Sequence, residues 1–228
     1  MPIAVHTAID GGRVTIWSST ADLSRDASSV GVFRIDGRRQ EITVGARSLG
    51  KQLAALHEVP RVEEFAYVGG QLSLYRGESR AGRVCVIVWE GSASSAITAV
   101  YGDVSSNAAL DLLSRFDLQD HRRARIATVT PRDRSASPLE DAPVLAKEVP
   151  DLGLIVVAPL TKKQARALPR WKGTSVRGGE LFQDALGTPR MHFLIANQTS
   201  VATIMPKHSL LKGDTVPPAL EEIEIAWE

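Results

Sequence analysis

The chain carries a single cysteine in 228 residues. That excludes an internal disulfide framework and a cysteine-based zinc site. Charge of one sign is also lacking: 27 Lys and Arg face 26 Asp and Glu, a formal net charge of +1. Such a chain projects no general field toward nucleic acid or anionic lipid, so only a local patch would attract either. No stretch approaches the roughly 18 consecutive apolar residues of a membrane-spanning helix. The longest apolar runs, Val84–Trp89 and Leu152–Pro159, are strand-sized. The opening residues lack the basic and apolar regions of a signal peptide. Together with the lone thiol, these absences predict a soluble, cytoplasmic protein with no membrane partner.

Catalytic signatures are missing as well. There is no phosphate loop of the Gly-x-x-x-x-Gly-Lys type, no Gly-x-Gly-x-x-Gly, no Gly-x-Ser-x-Gly and no His-Glu-x-x-His. The histidines His6, His57, His121, His192 and His208 are far apart, and no pair has helical ligand spacing. The expectation is therefore no cofactor, no metal and no catalytic residue. Cys85 lies between Val84 and Val86 and reads as inert core filler. Asp120 and His121 are adjacent, so their side chains point apart, and they sit in a polar connection. Ser92, Ser94 and Ser95 have no base nearby in sequence and read as a turn. His192, in an apolar strand, reads as a structural imidazole.

What is present is strand pattern. Arg13–Trp17 is rich in β-branched residues. Val32–Ile35 and Glu41–Val44 alternate about the turn dipeptide Asp36-Gly37, with a loop slightly longer than two residues. Glu64–Val68 and Gln71–Tyr75 flank Gly69-Gly70. Arg76–Gly82 reads as a polar loop. Arg83–Trp89 is the most apolar strand, and Ala96–Tyr101 its neighbour. Arg123–Val129, Val144–Val149, Leu152–Ala158, Arg190–Ala196 and Ser200–Met205 continue the series, the last two apolar enough to be covered on both faces. Glu222–Glu228 alternates as a half-exposed final strand. Helices are expected at Leu49–His57, with Leu49, Leu53 and Leu56 inward and Ser48 as cap. A second is expected at Val104–Phe116, with Ala108, Leu112 and Leu113 packed on a sheet, and a third at Leu160–Leu168. No repeat is visible. The fold class predicted is α+β, mostly antiparallel β-sheet built from hairpins with two or three packed helices. Residues 1–130 form a strand-rich domain and 143–228 a smaller one, or both form one domain with 131–142 as an exposed loop.

One segment breaks the even distribution of charge. Lys162, Lys163, Arg166, Arg170, Lys172 and Arg177 surround Trp171 with no acid between Thr161 and Arg177. Thr161-Lys162-Lys163-Gln164 reads as a capping box, Leu160 and Ala165 as a hydrophobic staple, and Pro169 as the stop. Two lysines in a first turn oppose the helix dipole. These seven residues are the candidate binding set. Either Glu222 and Glu224 neutralise the segment within the fold, or it meets an acidic protein patch, or it meets a polyanion. The leading functional reading is a non-catalytic interaction or assembly protein, self-associating or with a protein partner, in which the last strand, ending in Trp227, adds to a sheet edge. The rivals are an enzyme or small-ligand binder with a site assembled from scattered residues, and nucleic-acid binding through residues 162–177.

Overall fold

The structure is a computed structural model that describes residues 2–80, 82–132, 136–137, 139, 141–150, 152–184, 192–207 and 218–228. The chain divides into two compact units. A central unit holds Thr7–Gly11 and Ser28–Pro143, and a terminal unit holds Met1–His6, Gly12–Ala27 and Val144–Glu228.

In the central unit, β3 (Ala27–Ile35) and β4 (Arg38–Ala46) form a hairpin, followed by α1 (Arg47–Leu56). Four strands come next, β5 (Arg61–Tyr67), β6 (Gly70–Ser79), β7 (Gly82–Glu90) and β8 (Ser94–Tyr101). They are followed by α2 (Ser106–Ser114) and the hairpin of β9 (Phe116–His121) and β10 (Ile126–Pro131). The strand order is β3-β4-β8-β7-β6-β5, antiparallel throughout. β7 explains why both faces are covered. Cys85, Ile87 and Trp89 enter one core with Phe116 and Leu118 of β9 and Ala109 and Leu113 of α2. Val84, Val86 and Val88 enter a second core with Ala54 of α1.

The turns are tighter than expected. Asp36 and Gly37, with φ of 47° and 78°, make a two-residue connection with left-handed backbone at both positions, the geometry that matches strand twist. In the next hairpin the turn residues are Val68 and Gly69 rather than the glycine pair, and Tyr67 faces Gly70. Gly70 is needed for another reason: a Cβ there would lie 2.3 Å from the Glu90 carbonyl oxygen.

In the terminal unit, β11 (Val144–Val149) and β12 (Gly153–Pro159) form a hairpin followed by α3 (Lys162–Ala167). Then come β13 (Thr174–Val176), β14 (Gly179–Asp184), β15 (His192–Ala196) and β16 (Ser200–Pro206), then α4 (Pro218–Glu221) and β17 (Glu224–Trp227). The strand order is β11-β12-β16-β15-β14-β13. A separate three-stranded sheet has the order β1 (Ile3–Thr7), β2 (Arg13–Trp17), β17.

The two units repeat one plan. Each runs strand, strand, helix, four strands, helix, strand, and each arranges its sheet as first, second, sixth, fifth, fourth, third. In chain order one further strand precedes each run, β2 before β3 and β10 before β11. These two are exchanged: β10 pairs with β9, which closes the first run, and β2 pairs with β17, which closes the second.

Several expectations need correction. The mostly antiparallel sheet is as expected, but helices are few, four among the described residues, so the protein is β-rich rather than clearly α+β. β1, β9, β13 and β14 were not expected, and β6 continues through most of the supposed polar loop to Ser79. α1 starts after Ala46 with no side-chain cap, so Ser48 does not cap it, and its buried residues are Gly50 and Ala54. α2 is capped by Ser105, buries Ala109 and Leu113, and leaves Ala108 exposed. The connection 131–142 is partly tied down: Ala136 is buried and bridges Ile35, Ser137 N–H donates to the Arg34 carbonyl at 2.9 Å, and Arg39 pairs with Asp141 at 2.9 Å. His208 and residues 190–191 of an expected strand lie outside the described residues.

Candidate functional site

The basic segment opens as the sequence suggests. Thr161 caps α3: its Oγ1 accepts from Gln164 N–H at 3.2 Å, and the Gln164 side-chain oxygen accepts from Thr161 N–H at 2.8 Å. The backbone turns extended at Leu168, before Pro169. The packing of this helix departs from its capping: no residue of α3 is buried. A helix this short draws little stability from its own hydrogen bonds, and this one contributes no apolar face to a core. Trp171, three residues beyond its C-cap, is 60% exposed.

The charges sort into two groups. Arg177 is neutralised within the fold, its Nε 3.2 Å from Glu224 and its backbone N–H donating to the Glu221 carbonyl. Glu222 accepts instead from Ser19 at 3.0 Å. Lys162, Arg166, Arg170 and Lys172 are exposed and make no ion pair or hydrogen bond among the described residues. Lys163 is exposed as well. The expected neutralisation by the last strand therefore applies to Arg177 and not to these four cations. That strand does not offer its edge freely either. Asn197 and Ser200 side chains donate to the Ile225 carbonyl, and Trp227 N–H donates to Thr199 Oγ1 at 3.2 Å, so two backbone groups of β17 that face away from β2 are occupied.

The structure disposes of the nearest catalytic arrangements. Asp120 and His121 do face apart: Asp120 reaches the β7–β8 turn, and His121 Nε2 lies 2.9 Å from Thr128 Oγ1. The serine cluster meets an acid that sequence spacing concealed. The Asp120 carboxylate accepts from the Ser92 and Ser94 hydroxyls, both at 2.6 Å, and from the Ser92 and Ala93 N–H groups. Burial opposes its ionisation, yet these four donors hold its carboxyl below the ordinary range. A carboxylate so satisfied is a weak base, and its work here is to tie the turn to β9. The signal for it lay in the serine-rich turn itself, which needs an acceptor. Cys85 is 1% exposed, and burial pushes its thiol up against the opposing pull of Arg76.

Three clefts of about 480, 540 and 360 Å³ lie in the central unit. The first holds Arg115, which pairs with Asp36 at 2.6 Å and Asp111 at 2.9 Å. In the second, Arg76 pairs with Glu63 at 2.5 Å and Arg83 with Asp103 at 2.6 Å, while the Ser106 hydroxyl also donates to Glu63. Their charged groups are largely engaged with each other.

A buried polar pair in the terminal unit was missed. Lys147 on β11 is fully buried and donates to the Arg25 carbonyl. Burial lowers its pKa, opposed by Asp26 and Asp22. His6 is lowered to about 4, first by burial and then by the Lys147 charge. Alternation alone marks Lys147 as inward, between Leu145 and Val149, but a lone lysine in a strand is ordinarily assigned to solvent. Comparison of the sequence with known protein families and curated proteins, and of the fold with solved structures, gives no match.

Proposed function

We propose that this protein is a non-catalytic interaction module that docks an acidic protein partner on the segment Thr161–Lys172. One observation carries the reading: a capped helix buries none of its residues, and it and the stretch after it carry an exposed tryptophan and four cations whose side chains have no ion pair or hydrogen bond among the described residues. Tryptophan and arginine are the side chains most enriched where interfaces concentrate their binding energy. Unpaired cations in a neutral protein steer an acidic partner locally and set salt-sensitive association. In the first two clefts, in contrast, Arg115, Arg76 and Arg83 are paired with carboxylates, which favours a structural role for them.

Trp171 supplies its own probe, because Trp89 and Trp227 are buried and Trp17 is half-buried. Titration with a tryptophan-free, glutamate-rich peptide at low salt is expected to change Trp171 emission saturably. Arg166→Glu with Arg170→Glu is expected to weaken that binding at least tenfold. Heparin or duplex DNA binding more tightly than the peptide would assign the segment to polyanions instead. Silence toward all three would remove it as a docking surface.

A further inference from the structure

A strand at the edge of a sheet presents a row of backbone donors and acceptors to any other strand, and proteins blunt such edges with charge, brevity, bulges or cover. Several edges of this protein are blunted in these ways. β5 carries Arg61, Glu63 and Glu64, and its register shifts between Arg61 and Glu63. β13 has only three residues. β9 carries Asp117 and Asp120, and β10 sends the Val129 N–H to the Ile9 carbonyl. β17 has side chains of Asn197, Ser200 and Thr199 on its outer backbone groups.

β1 has none of these devices. Its five residues, Ile3–Thr7, include no acid, lysine, arginine or proline. Its one titratable group, His6, is held neutral at pH 7 by burial. β1 ends the three-stranded sheet, with β2 as its neighbour there. The Ser18 N–H, just past β2, donates to the Pro2 carbonyl at 3.3 Å. Backbone groups alternate in direction along a strand. Ala4 and His6 therefore share the direction of Pro2 toward β2, and the N–H and C=O groups of Ile3, Val5 and Thr7 point away from it. Ile3 and Val5 also expose their side chains, at 56% and 48%.

We infer that β1 is a self-association edge, pairing antiparallel with β1 of a second copy of this chain about a two-fold axis at Val5. The sequence of the strand names the occupant, because it has the same pattern in both directions: β-branched residues at 3, 5 and 7, with Ala4 and His6 between them. With Val5 opposite Val5 of the second copy, Ile3 meets Thr7 and Ala4 meets His6. Every outward backbone group then lies opposite an outward group, and β-branched side chains stack on β-branched ones across the pair. No like charges meet. A strand pair of this length is small for an interface, so the dimer is weak and forms as the protein is concentrated. This surface is separate from the α3 segment, and the inference does not depend on the docking reading.

Sedimentation velocity of the full chain over a wide concentration range tests it. A shift from monomer to dimer with rising concentration is expected. Val5→Lys places two ammonium groups opposite each other and is expected to keep the protein monomeric, whereas Lys162→Glu with Arg166→Glu is expected to leave the dimer unchanged. Cysteine variants report the register, since Cys85 is buried and does not compete. Opposed Cα atoms in a hydrogen-bonded pair lie about 5.5 Å apart, within disulfide reach. Val5→Cys is therefore expected to yield a disulfide-linked dimer on mild oxidation. In the same register two copies of residue 3 are more than about 13 Å apart, so Ile3→Cys is expected to link at least tenfold more slowly. Should Val5→Lys impair folding, the two cysteine variants decide the matter. A monomer at every concentration, with Val5→Cys unlinked, would overturn the inference. A dimer that survives Val5→Lys would assign association to another surface, and equal linking at positions 3 and 5 would reduce it to random collision; either result also overturns it.

Discussion

At the residue scale, two buried groups have consequences that solution measurements reach directly. Cys85 is flanked by valines that face the opposite core, and its thiol is held protonated by burial. Native protein is expected to react with a thiol reagent far more slowly than denatured protein. Cys85→Ser is expected to cost about 1 kcal/mol, with the Arg76 guanidinium available as a donor to the new hydroxyl. His6 behaves differently. It titrates near 4 in the folded chain against an ordinary 6.5, so between those values the unfolded state binds a proton that the folded state refuses. Stability is therefore fully present above pH 6.5 and is lost as pH falls toward 4, by at most roughly 3 kcal/mol and less as water screens the ring. Urea midpoints at pH 7 and 4.5 test this, because His6→Gln is expected to flatten that part of the profile. Cys85 was legible from its apolar strand. His6 was not, because its shift depends first on burial and then on the charge of Lys147, and both come from contacts far away in sequence.

At the element scale, both long helices show the same displacement between pattern and packing. The pattern marks Leu49, Leu53 and Leu56 of α1 and Ala108, Leu112 and Leu113 of α2 as inward; the buried residues are Gly50 and Ala54 in α1 and Ala109 and Leu113 in α2, so of these Leu113 alone is as expected. Small residues reach the sheet most closely, and the larger ones flank them. The deepest position of a stripe is thus set by distance of approach, which periodicity does not report. Leu113, 4% exposed, enters the core beside Phe116, whereas Leu112 lines the 480 Å³ cleft. Leu113→Ala is expected to cost about 2–5 kcal/mol and Leu112→Ala clearly less; a reversed ranking in a denaturant titration would return the helix to the rotation that its periodicity suggests. Hairpins were more legible, since Asp36-Gly37 specifies its turn locally. The capping box of α3 was legible for the same reason, but the exposure of the whole helix was not, because capping says nothing of what a helix packs against.

At the scale of the molecule, the plan shared by the two units left no trace that reading for repeats detects. Topology constrains which positions are apolar and where turns fall, and Gly82–Glu90 and His192–Ala196 occupy the same place in the plan with different lengths and residues. The exchange of lead strands is equally hidden, since β2 and β17 differ by some two hundred positions. It makes a definite prediction. Residues 144–228 expressed alone lack β2, the strand with which β17 pairs in the three-stranded sheet, and are expected to give poorly dispersed amide NMR spectra. Protein cleaved within 131–143 is expected to keep both fragments together on gel filtration until denatured, because Arg13 and Glu228 exchange backbone hydrogen bonds at 3.0 and 2.8 Å across the cut chain. Independent folding of the C-terminal fragment would show that the exchanged strand is dispensable.

The pairing of β2 with β17 also sets a timetable. As the ribosome releases this chain, Ser28–Pro143 can collapse on its own sheet while the message is still being read. Val14 and Ile16, buried in the terminal unit, wait in a strand with β1 on one side and an open edge on the other until Ile225 and Trp227 emerge. For the whole interval of synthesis between those codons, the nascent protein carries an apolar strand with an open edge. A chaperone that holds such edges is then most needed by the half-made chain, and a slowly translated stretch in the second repeat lengthens the exposure rather than relieving it.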